Sequence, residues 1–104
     1  MRTVSFVQTI TVTSGDESAI TKHLVAWHAD QFGVAPGYRG ARLLEDRNRP
    51  GQYTIEASFT SEEEAALNND RPETTAWAAS LQALASGEVR FVDRRVVLDT
   101  LPRV

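Results

Sequence analysis

The chain has no cysteine among its 104 residues, which excludes a disulfide framework, a thiol nucleophile, a cysteine-held zinc and an iron–sulfur cluster. Long apolar runs are missing too. None approaches the roughly 20 residues that a helix needs to cross a bilayer, so insertion into a membrane is not expected. Basic residues are outnumbered, 11 Lys and Arg against 14 Asp and Glu for a formal charge of −3, and nucleic acid is not an expected partner because its phosphates call for clustered cations. No glycine-rich phosphate loop occurs, and no nucleophile elbow frames a serine. Neither a tightly held nucleotide cofactor nor covalent catalysis is expected. Histidine is scarce: His23 and His28 are five apart, which separates them around a helix, unlike the i,i+4 pair of a zinc site. No metal or other cofactor is predicted.

What is present is an ordinary globular composition, 41% apolar and 24% charged. The length suits a single domain over residues 1–104, only modestly stable unless a partner covers more of its surface. Met1-Arg2 runs directly into strand-like alternation without a secretory signal pattern, so a cytoplasmic protein is expected.

The pattern along the chain predicts alternating strands and helices. From Val4 to Val12, the residues Val4, Phe6, Gln8, Ile10 and Val12 share one side of an extended segment. Ser14-Gly15-Asp16 supplies turn and cap chemistry, and Ile20, His23, Leu24, Trp27 and Gln31 recur at helical spacing, giving a helix from about Asp16 to Phe32. Tyr38 to Asp46 and Gln52 to Phe59 read as two strands of a hairpin joined through Pro50-Gly51. Ser61 with Glu64 forms a capping box that opens a helix ending near Asn69. Pro72 starts another, whose stripe of Thr74, Trp77, Ala78, Leu81, Leu84 and Ala85 ends before Gly87. A last strand is expected from Glu88 to about Leu101. The order is β-α-β-β-α-β with the second helix broken, an α+β, ferredoxin-like arrangement with an antiparallel sheet. Helices cover one face of such a sheet, while Val7, Val92, Val96 and Leu98 supply apolar groups to the other, for which a second copy of the chain is the simplest cover. A homodimer is predicted.

A few side chains stand out against these faces. Gln8 interrupts an apolar row, and a buried amide must be hydrogen-bonded or lose about 1–3 kcal/mol per unsatisfied group; it either bridges strand and helix or orients a ligand. His23 lies on or beside the buried helical stripe, as a packed boundary residue or as a general base for a phenolic proton. Asn68 and Asn69 sit at the helix break, where they cap it or face a cavity. Phe6, Trp27, Tyr53, Phe59 and Trp77 form either core or the wall of a pocket for a planar ligand. Asp93, Arg94 and Arg95 read as a solvated or dimer-edge ion-pair cluster.

Ala35-Pro36-Gly37-Tyr38-Arg39-Gly40, Asp46 through Tyr53, and Phe59 through Ala65 are recognisable together. With them the chain resembles the antibiotic biosynthesis monooxygenase-like family of dimeric α/β barrels over nearly its whole length. The resemblance implies a pocket between sheet and helices, and an activity among cofactor-independent oxygenases of aromatic polyketides or quinols. In that reading His23 assists deprotonation, Gln8 and Asn68 hold the oxyanion, and Phe6, Trp27, Tyr53, Phe59, Asn69 and Trp77 contact substrate. The alternative is a non-catalytic ligand-binding or accessory protein of the same fold. Haem-degrading relatives carry Asn, Trp and a later His where this chain has Gln8, Phe59 and no histidine beyond His28. Quinol-type relatives carry His where Asn68 stands.

Overall fold

The computed structural model describes residues 3–101. Its elements run β1 (Phe6–Thr13), α1 (Glu17–Gln31), β2 (Tyr38–Glu45), β3 (Gln52–Phe59), α2 (Glu62–Asn69), α3 (Pro72–Leu84) and β4 (Arg90–Arg95). The strands form one antiparallel sheet in the order β2-β3-β1-β4, which is the expected ferredoxin-like topology.

Local chemistry sets the helix ends. The Asp16 carboxylate accepts from the Ala19 N–H and caps α1, while the Ser61 hydroxyl accepts from the Glu64 N–H and caps α2. The Glu64 carboxylate accepts from the Thr60 hydroxyl. Asp70 and Arg71 separate α2 from α3, and Pro72 occupies the first turn of α3, where its missing N–H costs nothing.

One element departs from expectation. The last strand ends at Arg95 rather than near Leu101, because its sole partner, β1, begins at Phe6, which pairs with Arg95. One further backbone bond, Val96 N–H to Ser5 O, closes the ladder. Alternation also splits the expected cluster on β4. Asp93 turns to the helix side beside Gln8, while Arg94 reaches the opposite face and donates from Nε to Thr9 Oγ1.

The core is divided in two. Ile10, Val12, Ile20, Ile55, Leu81 and Val89 form one cluster, and Phe6, Ala35, Tyr38, Phe59 and Ala65 the other. Gly37 ties the second cluster to α2. Its φ is +67°, and a Cβ there would lie 2.6 Å from the Glu64 Cβ. Gly37→Ala should therefore lower stability by about 1–3 kcal/mol, the cost of a strained backbone position, read as a reduced urea midpoint at unchanged slope. A midpoint equal to wild type would show that α2 does not rest on this residue.

Candidate functional site

The register of the sheet places four residues at one level, one from each strand: Ala41, Ala57, Gln8 and Asp93. On the same face, the level to one side holds Leu43, Ile55, Ile10 and Phe91, and the level to the other holds Tyr38, Phe59, Phe6 and Arg95. Two alanines thus stand where the flanking levels carry large side chains, and the sheet has a hollow there. Leu24 and Trp27 from α1, Asn68 and Asn69 from α2, and Thr74, Thr75, Trp77 and Ala78 from α3 complete a cavity of about 420 Å³, a size suited to a small organic ligand.

The polar groups are arranged in opposition. On the floor, Gln8 Nε2 donates to Asp93 Oδ1 at 3.2 Å. A carboxylate accepts only, so the bond fixes the Gln8 amide orientation and leaves Oε1 as its acceptor. In the roof Asn68 is 2% exposed, and its Oδ1 accepts from Arg71 at 3.2 Å and from the Thr74 hydroxyl at 3.0 Å. Guanidinium donates only, so Oδ1 is assigned and Nδ2 is the atom Asn68 has for the cavity. Arg71 is held in turn by Glu73 at 2.7 Å. Thr74 and Thr75 belong to the first turn of α3, the positive end of its dipole. The roof therefore presents donors to the cavity and the floor presents acceptors. Among the described residues, no three of His, Asp and Glu gather closely enough to hold a metal ion.

No protein-family model matches the chain, and no curated protein matches it at a significant level. Solved structures do. A variant of SnoaB, a cofactor-independent oxygenase from Streptomyces nogalater, superposes with a TM-score of 0.74 at 21% identity over 97% of this chain and 100% of its own. A Deinococcus radiodurans protein assigned to the antibiotic biosynthesis monooxygenases gives 0.70 at 15% identity, over 95% and 99%. A Nitrosomonas europaea protein of unknown function gives 0.71 at 14% identity, over the whole of both chains. The chain has the fold of the antibiotic biosynthesis monooxygenase-like proteins. At these identities the likeness speaks for architecture alone.

Of the residues singled out in the sequence, Gln8, Trp27, Phe59, Asn68, Asn69 and Trp77 line the cavity. His23, Phe6 and Tyr53 do not. The His23 ring stacks on Trp77 with centroids 5.0 Å apart, and its Nε2 lies 3.0 Å from the Trp77 carbonyl. A carbonyl accepts only, so Nε2 carries the proton and His23 is engaged in packing the roof. Phe6 is buried in the second core cluster, and the Tyr53 hydroxyl donates to Glu17. Asp93, Phe91, Ala41, Thr74 and Thr75 were not among the sequence candidates. The signal that finds Asp93 is its pairing with Gln8, which requires the β4 register.

Behind Trp27 lies Tyr38, 4% exposed, whose hydroxyl is 2.9 Å from His28 Nδ1. Burial pushes the Tyr38 phenol up from its ordinary 10.0 to about 12. The folded chain thus keeps a proton that the unfolded chain releases, so this contribution is fully present below about pH 10 and is lost as pH rises through about 12. Tyr38→Phe should flatten the alkaline fall in Tm across that window. An alkaline limb identical to wild type would contradict the assignment.

Proposed function

We propose that the cavity binds a small aromatic hydroxylated compound, of polyketide or quinol type, and that the chain oxygenates it with dioxygen without a metal or flavin. The observation that carries this reading is that the Asp93 carboxylate on the floor and the Asn68 amide in the roof line one cavity, beside the packed pair Trp27 and Trp77. A bound acidic phenol or activated methylene would give its proton to Asp93, with Gln8 holding the carboxylate in place. Negative charge would then grow on the ligand oxygen under Asn68 Nδ2 and the start of α3. His23, stacked on Trp77, lies outside the cavity lining, and the proton is assigned to Asp93 in its place.

The electron-rich anion gives one electron to dioxygen, and the pair of radicals recombines through a carbon–oxygen bond to a peroxide. Protonation and loss of water then leave a new carbonyl, so that one dioxygen converts a methylene to a ketone and one water. The protein supplies the proton acceptor, the donor to the oxyanion and a site that orients the ring. SnoaB, which shares the fold, is a cofactor-independent oxygenase, and that supports the reaction class.

Both tryptophans of the chain line the cavity, so intrinsic fluorescence reports its occupancy. Anthrones and quinols should quench it and support oxygen uptake. Asp93→Asn should cut turnover by about 10²–10⁴ while leaving quenching intact, and Ala57→Leu, which fills the floor, should abolish quenching. Quenching without uptake across the panel would establish the binding-protein alternative, and no quenching at all would overturn both readings.

We also propose that two copies associate through the outer face of the sheet. Val7, Val96, Leu98 and Leu101 line a hollow there that is rimmed by Arg39, Arg42, Glu56 and Asp99, and Val97, Leu98 and Leu101 are 80%, 81% and 66% exposed, apolar surface that a monomer leaves in water. Sedimentation should give a dimer, and a Leu98→Asp, Leu101→Asp double variant a folded monomer. A wild-type chain that sediments as a monomer at every concentration would remove this proposal.

A further inference from the structure

The cavity opens onto a continuous line of oxidisable rings. Trp77 and Trp27 both face it, with centroids 5.5 Å apart. Trp27 meets Tyr38 edge-on at 6.4 Å. Tyr38, itself buried, then ends the line beside the exposed His28, whose Nδ1 lies 2.9 Å from its hydroxyl. The sequence makes this line the natural target of an oxidant. It has no cysteine and one methionine, at position 1, so the two indoles are the readily oxidised side chains on the cavity wall.

A phenol is oxidised easily only when its proton can leave together with the electron, since the oxidised phenol is a very strong acid. Tyr38 meets that condition. In the tautomer of His28 that carries its proton on Nε2, Nδ1 accepts from the Tyr38 hydroxyl 2.9 Å away, which gives the phenolic proton a place to go. The only other tyrosine, Tyr53, donates to Glu17, and among the described residues it has no aromatic ring partner.

We propose that Trp77, Trp27 and Tyr38 form a relay that carries a one-electron oxidising equivalent out of the cavity, with His28 taking the Tyr38 proton. An organic peroxyl radical in the cavity takes one electron from an indole and one proton from water, and leaves as a hydroperoxide. The indole is refilled by one electron from Tyr38, directly or through Trp27. Tyr38 gives its phenolic proton to His28 Nδ1, and the imidazolium passes it to water, leaving a phenoxyl radical on the buried Tyr38, outside the cavity lining. The relay protects the cavity wall from oxidation whatever ligand the cavity takes.

Pulse radiolysis with azidyl radicals tests it, because they oxidise indoles selectively and need no bound ligand, so the outcome is independent of the oxygenase reading. In the full chain an indolyl signal should be replaced by a phenoxyl signal at a rate independent of protein concentration. Tyr38→Phe should abolish the phenoxyl signal and prolong the indolyl one, whereas Tyr53→Phe should change neither. His28→Phe, which keeps a ring but removes the base, should slow the transfer about 100-fold, the lower end of what a positioned proton acceptor contributes. A phenoxyl signal that survives Tyr38→Phe, or a transfer rate that rises with protein concentration, would overturn the relay. An unchanged rate in His28→Phe would overturn the role of His28.

Discussion

The register of β1 between β3 and β4 is the constraint on which the site depends. It sets Gln8 opposite Ala57 on one side and Asp93 on the other, and β3 carries the same level on to Ala41. Cross-strand neighbours on one face lie within side-chain reach, so a level with two alanines cannot close against the helices as its neighbours do. A one-residue slip of β4 would turn Asp93 to the outer face and bring an arginine to the floor. The same register divides the core, with Ile10 and Ile55 packing on one side of the hollow and Phe6 and Phe59 on the other. Neither cluster can extend across Gln8 without leaving an amide unsatisfied, and the cavity is the consequence.

The roof depends on the break between α2 and α3. A continuous helix would satisfy its own backbone and present only side chains to the sheet. The break instead lets Asn68, at the end of α2, accept from both Arg71 in the connection and Thr74 in α3. Its amide thereby holds two helices together and aims a donor at the ligand space. Losing the amide would leave the Arg71 guanidinium with Glu73 and take its acceptor from the Thr74 hydroxyl, loosening the join between the two helices.

How much of this the sequence disclosed follows from how sharply each segment is patterned. β1 and β3 alternate cleanly, and Pro, Gly and capping residues punctuate the rest, so the order of elements and most of their boundaries were legible. β4 carries apolar and charged residues on both sides, which hid its register and with it Asp93. Alternation also reveals which face a residue takes and not its height along the strand. Phe6 and Tyr53 share the helix side with Gln8, yet the first belongs to the next level and the second lies beyond Ile55, at the Glu17 end of the sheet. For His23 the helical stripe was readable, but the Trp77 carbonyl that engages its ring comes from a helix 54 residues away in sequence.

The charge arrangement also restricts which form of a ligand can enter under the proposed reaction. An anion formed in solution would approach the solvent-exposed Asp93 carboxylate against the opposition of like charges, which is strongest at low ionic strength. A neutral acid meets no such opposition and finds a proton acceptor. Ionisation after binding transfers the proton to the floor as charge develops beneath the Asn68 amide. In that reaction the anion forms inside the cavity, beside Trp27 and Trp77, and one carboxylate serves both to select the ligand and to activate it.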